Sequence, residues 1–157
     1  KNKGFLALFC AHIALLACAV VFPGAARCQE ACSLTVRSAS GSSVGRIESN
    51  GTFRSSSGSS VGRFVAGAGV VRDRSGASIG KVDSDGTIRS RSGSRIGRVE
   101  LDGTLRSSSG SRVGRIESDG TVRNKSGARG GKFDGYVPAC RHAAAAYLFF
   151  FEPLHHR

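Results

Sequence analysis

The chain has 157 residues, with Gly at 22, no Trp, no Met and serine in almost every turn, so one large conventional core is not expected. Apolar residues between 34 and 133 come singly, as Val44, Ile47, Phe53 and Val61, which requires burial to be assembled from many small equivalent pieces. The formal charge of +12, from 23 Lys and Arg against 11 Asp and Glu, points to anionic partners such as nucleic acid, anionic glycan, lipopolysaccharide-like surfaces or acidic proteins without selecting one.

In chain order, Lys1 and Lys3 make a basic region, Phe5 to Val21 an apolar run, and Gly24-Ala25-Ala26 a small-residue cleavage site. Residues 1–26 therefore read as a secretory signal, and the mature protein as periplasmic or secreted. His12 and the small Ala11, Ala17 and Ala19 weaken the case for a membrane anchor. Leu15-Leu16-Ala17-Cys18 resembles a bacterial lipobox, in which a lipid on Cys18 would anchor the protein to the envelope. The apolar Ala19 to Phe22 argues against cleavage there, and lipidation stands as the alternative. Cleavage after Ala26 leaves Cys28, Cys32 and Cys140 in an oxidising compartment. Residues 27–33 form a short Cys-containing linker, and either Cys28 or Cys32 can pair with Cys140 and tie the two ends of the chain together, with one thiol spare.

A repeat domain spans residues 34–134. Gly45, Gly62, Gly80, Gly97, Gly114 and Gly131 recur every 17 residues, with one interval of 18 between Gly62 and Gly80. Two further series keep step: Gly41, Gly58, Gly76, Gly93, Gly110 and Gly127, and Gly51, Gly69, Gly86, Gly103 and Gly120. The clearest unit runs from Val113 to Arg123, while the second, Val61 to Arg72, has lost its Asp-Gly and gained a residue, as a loop tip tolerates.

Turn chemistry sets the register. A two-residue Asp119-Gly120 loop would send Ile116 and Val122 to opposite faces. A three-residue loop, Ser118-Asp119-Gly120 with a left-handed Gly, instead opposes Glu117 to Thr121 and Ile116 to Val122. The same reasoning at Ser108-Ser109-Gly110 opposes Ser107 to Ser111 and Leu105 to Val113. Val113 and Ile116 are three apart, so strict alternation cannot face both inward, and a bulge or bend at Gly114 is expected to do so.

Five hairpins follow, at 44–54, 61–72, 79–89, 96–106 and 113–123. The unpaired half-units Leu34 to Arg37 and Gly130 to Phe133 are complementary and could close a ring, removing exposed edges. Residues 135–157 hold an apolar segment, Ala143 to Phe151, and a basic tail. The segment is too short to cross a bilayer as a helix, so it is expected to cap or plug the array. An exposed patch of Tyr147, Leu148, Phe149, Phe150 and Phe151 docking on a partner or membrane is the alternative, and Pro153 ends any strand or helix.

The unit G-R-[IV]-E-S-D-G-T-[VIL]-R between Gly45 and Arg123, followed by Ala143-Ala-Ala-Ala-Tyr147-Leu-Phe-Phe-Phe151, resembles the bacterial β-flower proteins, in particular the five-fold β-flowers. The resemblance implies an all-β fold of tandem hairpins arranged as a flower or closed ring, sealed by the C-terminal segment. It brings no established activity, no cofactor and no catalytic residue.

Two basic positions recur in the units: Arg46, Arg63, Lys81, Arg98, Arg115 and Lys132 after the glycine, and Arg37, Arg54, Arg72, Arg89, Arg106 and Arg123 after the apolar residue. As anion-binding candidates, Arg46, Arg54, Arg89, Arg98, Arg106, Arg115 and Arg123 would hold phosphates, sulfates or carboxylates with salt-sensitive affinity. The plainer reading pairs the basic residues with Glu48, Asp83, Glu100 and Glu117 on the same strand face. Nucleic acid is disfavoured because Phe53, Phe64 and Phe133 point inward and no aromatic row accompanies the arginines. No base is placed to activate a nucleophile, and Asp85, Asp102 and Asp119 are explained by turns. Cys28, Cys32, His142, His155 and His156 are a weak metal pattern, set against a disulfide and a solvated tail. The expected function is a non-enzymatic structural or interaction module of the bacterial cell envelope, the alternative a binding protein for an anionic glycan or surface lipid.

Overall fold

A computed structural model describes residues 32–152, so the expected signal, Cys18, Cys28, Pro153, His155 and His156 lie outside the described residues. Twelve strands follow one another: β1 (Leu34–Ser38), β2 (Ser43–Ile47), β3 (Thr52–Ser55), β4 (Ser60–Val65), β5 (Val70–Asp73), β6 (Ser78–Val82), β7 (Thr87–Ser90), β8 (Arg95–Val99), β9 (Thr104–Ser107), β10 (Arg112–Ile116), β11 (Thr121–Asn124) and β12 (Arg129–Asp134). Each pairs antiparallel with its neighbours in sequence, and β1 pairs with β12 to close a barrel. The closing register, Val36 opposite Phe133 and Arg37 opposite Lys132, is the expected union of the two half-units.

The Asp-Gly turn has the expected form. Ile116 opposes Val122, Glu117 N–H donates to the Thr121 carbonyl at 2.8 Å, and Gly120 has a φ of +84°, which an L side chain resists. Asp119 receives the Thr121 N–H at 2.9 Å and its hydroxyl at 2.8 Å, a local capping that Asp85 and Asp102 repeat with Thr87 and Thr104. The turn carbonyl also reaches outward, since Ile116 N–H donates to the Gly103 oxygen of the preceding hairpin at 2.9 Å.

The other turn departs from expectation by one residue. Ser107 and Ser111 do oppose each other, and Arg106 opposes Arg112, but Leu105 then faces Gly114 and not Val113. Val113 is the extra residue of a β-bulge, and Val44, Val61, Ile79 and Ile96 hold the same place in the other repeats. The bulge carries Gly114 and Ile116 inward, while Val113 stays half-buried on the barrel's shoulder. Each repeat is thus one hairpin plus one bulge. The added twist at regular intervals helps bend the sheet until it closes.

The core is a ring of single inward side chains, among them Leu34, Ile47, Phe53, Phe64, Val71, Ile88, Leu105, Ile116 and Phe133, packed around a helix, α1 (Arg141–Phe150). Ala143 to Leu148 are all buried, and a helix buried all round is one enclosed by other structure. Ten residues rise about 15 Å, comparable with the roughly 16 Å length of a five-residue strand. The expected plug is therefore an internal helix. Its aromatic end packs into the barrel instead of forming an exposed patch: Tyr147 is buried, and Phe149, Phe150 and Phe151 pack against the core.

The inward glycines explain how these rings fit. A Cβ on Gly97 would lie under 3 Å from the Phe149 ring, and Gly80 and Gly62 stand in the same relation to Phe150 and Phe151. Tyr147 and Phe151 meet Phe53 edge-on, with ring centroids 5.6 and 5.0 Å away. A disulfide joins Cys32, just before β1, to Cys140, the residue preceding α1, so Cys32 is the partner among the two that spacing left open.

Candidate functional site

With the interior filled, chemistry is carried by the outer wall and by the two rims. One rim holds the Asp-Gly turns, the start of α1 and the disulfide; the other holds the Ser-Gly turns.

The arginines after the apolar residue lie lengthwise along the wall. The Nε of Arg54 donates to Glu48 at 2.6 Å, and the Nε atoms of Arg89, Arg106 and Arg123 donate to Asp83, Glu100 and Glu117 at 2.8 Å each. Arg37 makes the same contact with Asp134. Their Nη1 atoms donate to the carbonyl of the Ser-Gly turn four residues on, as Arg106 does to Gly110 at 3.0 Å. Each such arginine spans its hairpin from one turn to the other. Arg72 lacks the carboxylate because Val65 stands where the other repeats place an acid.

The second basic series turns toward the Asp-Gly rim. Arg46 reaches Glu48 at 3.3 Å, Lys81 reaches Asp83 at 3.1 Å, Arg115 reaches Asp102 at 3.9 Å and Lys132 reaches Asp119 at 3.6 Å. Arg63 and Arg98 donate to the carbonyls of Asn50 and Asp85, at 3.2 and 3.4 Å. Hydrogen bonds from Arg54 hold the Glu48 carboxyl below its usual range, and Arg89 with Lys81 does the same for Asp83. Asp85, Asp102 and Asp119 are lowered chiefly by the backbone N–H of the threonine two residues on. All seven arginines expected to bind anions therefore already contact a carboxylate or main-chain carbonyl of this barrel.

The Ser-Gly rim differs. Serine hydroxyls bond one another across four of the six turns, as Ser107 to Ser109 at 2.8 Å and Ser109 to Ser111 at 3.3 Å, while Ser75 and Ser126 donate to Asp73 and Asn124 in the other two. Arg74, Arg91, Arg95, Arg112, Lys125 and Arg129 are exposed there, and none has an ion pair among the described residues. Asp73 is the one carboxylate in the six Ser-Gly turns, and it is occupied by Ser75 and the Ala77 N–H. Sequence reasoning assigned none of these six cations to a site: Ser90-Arg91 and Ser94-Arg95 resemble only a Ser/Arg tract, and the 17-residue spacing of Arg95, Arg112 and Arg129 beside the Ser-Gly turns was the available signal.

At the opposite rim a depression of about 200 Å³ opens between the Asn50 turn, Arg63 and His142. His142 is half-buried, and burial lowers its pKa. Among the described residues no three His, Cys, Asp or Glu side chains converge as metal ligands, and Cys32 and Cys140 are consumed by their bond.

A closed ring of tandem β-hairpins, twelve strands around a short C-terminal helix, defines a β-repeat barrel protein whose regular side chains hold its own hairpins together. Residues 33–151 match the model of the 5-fold beta-flower protein family, and the chain belongs to that family. No curated protein and no solved structure matches it.

Proposed function

We propose that this chain is a non-enzymatic structural or interaction module of the cell envelope. The observation that carries the reading is the helix inside the barrel: Ala143 to Leu148 are buried against the inward side chains, so the outer surface is what a partner meets. Export is supported by the Cys32–Cys140 disulfide, a bond that persists in oxidising compartments, and by the apolar segment with its small-residue site ending at Ala26. The polar side chains of the turns are engaged in the fold, as Asp119 is by Thr121, Asp73 by Ser75 and Ser107 by Ser109.

Fractionation of producing cells, with free thiols trapped at lysis, tests this. The chain is expected in the exported or envelope fraction with Cys32 and Cys140 linked and a mass beginning after Ala26. A lipid on Cys18 would keep the envelope assignment in anchored form. Retention in the cytoplasm with both thiols reduced would reject it.

The second reading, a binding protein for an anionic glycan or surface lipid, draws its support from the cations without carboxylate partners on the Ser-Gly rim.

A further inference from the structure

We infer that the barrel binds a linear anionic glycan along one half of its outer wall, over β7 to β12 at the Ser-Gly rim; the inference rests on the interaction-module reading and names the partner's class.

The two halves of the barrel differ at one register position. Beside three Ser-Gly turns the residue opposite the wall arginine is serine: Ser43 opposite Arg37, Ser60 opposite Arg54, and Ser78 opposite Arg72. Beside the other three it is arginine: Arg95 opposite Arg89, Arg112 opposite Arg106, and Arg129 opposite Arg123. Like charges directly opposite each other across a strand pair cost stability. The three serines show that the register accepts a neutral residue, so the fold does not require this crowding. Arg91 and Lys125 add exposed cations at the adjoining turn tips. Arg89, Arg106 and Arg123 have carboxylate partners whereas Arg95, Arg112 and Arg129 have none among the described residues, so an anion lying across the row would pair with the latter three and find Ser94 and Ser111 beside two of them.

The shape selects the kind of anion. Arg95, Arg112 and Arg129 stand on alternate strands, about 10 Å apart, and face sideways out of the wall, while Arg91 and Lys125 stand on the tips. A flat lipid surface resting on the tips would miss the wall. A flexible chain follows both. Nucleic acid would require exposed aromatic faces for stacking, and Phe53, Phe133 and Tyr147 are inside. A folded acidic protein would require apolar anchors, yet the exposed large apolar residues, Leu101 and Val137, lie at the opposite rim.

Titration calorimetry of the oxidised full chain with chondroitin sulfate and polygalacturonate, dextran serving as neutral control, tests the inference. Saturable binding that weakens with salt is expected for both anionic chains and none for dextran. The triple variant Arg95→Ser, Arg112→Ser, Arg129→Ser copies the protein's own serines. It is expected to raise Kd about tenfold or more and to lower the slope of log K against log salt by roughly 2, with an unchanged or higher melting temperature. Arg63→Gln, Arg72→Gln and Lys81→Gln, an equal loss of charge on the other half, should leave Kd within about twofold. Absence of salt-sensitive binding, an equal loss in both triples, or equally tight binding to mixed zwitterionic and anionic phospholipid vesicles or to oligothymidylate would overturn it. Any of these in a chain found in the envelope rejects the glycan alone, whereas cytoplasmic retention rejects the module reading beneath it.

Discussion

Reducing the Cys32–Cys140 disulfide should lower the melting temperature by close to 20 °C and yet leave the barrel folded at room temperature. The two cysteines are 108 residues apart in sequence, so the bond turns nearly the whole folded chain into one loop. Removing such a crosslink returns to the unfolded state a loop-closure entropy equivalent to about 4.8 kcal/mol at 25 °C. Unfolding entropy of roughly 2.1 cal/mol/K per residue over about 120 residues gives about 0.25 kcal/mol/K, which converts that figure to about 19 °C. The native state has less to lose, because β1 still pairs with β12 and α1 still fills the interior. Differential scanning calorimetry of the oxidised protein, the dithiothreitol-reduced protein and the Cys32→Ser, Cys140→Ser variant measures the shift. Far-ultraviolet circular dichroism at 25 °C checks that the reduced barrel persists. A shift below about 5 °C would refute the entropic argument, and loss of the β spectrum on reduction would refute the claim that strand pairing alone closes the ring.

Two further outcomes follow from the packing of α1. Gly97→Ala puts a methyl against the Phe149 ring and 2.6 Å from the Arg106 carbonyl oxygen, and should cost about 1 to 3 kcal/mol in urea unfolding. Phe149→Leu in the same background should recover part of it, with a coupling of about 1 kcal/mol; additivity within about 0.3 kcal/mol would show that the ring is not the obstacle. Burial pushes the Tyr147 hydroxyl up to about 12, so the folded state keeps a proton that the unfolded chain gives up near pH 10. That contribution is complete below pH 10 and is lost as pH rises through about 12, a total of about 2 to 3 kcal/mol. Tyr147→Phe should flatten this alkaline limb of the stability curve, and an unaltered limb in the variant would contradict the assignment.

The regular parts of the fold were legible because each is decided within a few residues. The three-residue turn ending in Gly120, the pairing of Ile116 with Val122, and the ion pair of Arg123 with Glu117 all follow from strand alternation and the reach of one arginine. Ring closure was legible for a different reason: unsatisfied half-strands at both ends have one economical partner, each other. The bulge was anticipated but placed one residue late, because an isolated glycine in a strand is the usual mark of a bulge, whereas Gly114 pairs with Leu105 and the preceding Val113 is the extra residue.

The inward face of Gly97 was beyond reach, since a glycine in a strand reads equally as a bend, a bulge or a slot, and only the Phe149 ring lying against it decides among them. The role of the wall arginines was likewise open until their Nε and Nη1 partners could be seen. Their occupation moved the candidate surface to Arg95, Arg112 and Arg129, which keep the 17-residue period but lie outside the two basic series first read from it. The amino-acid sequence by itself determined the 17-residue repeat, the turns, the hairpin registers short of the bulge and the tendency to close, because these rest on local sterics and alternation. Only the tertiary structure decided that the C-terminal segment is a helix inside the barrel, which cysteine it is bonded beside, and which cations remain unpaired. Each of those depends on residues brought together from distant parts of the chain.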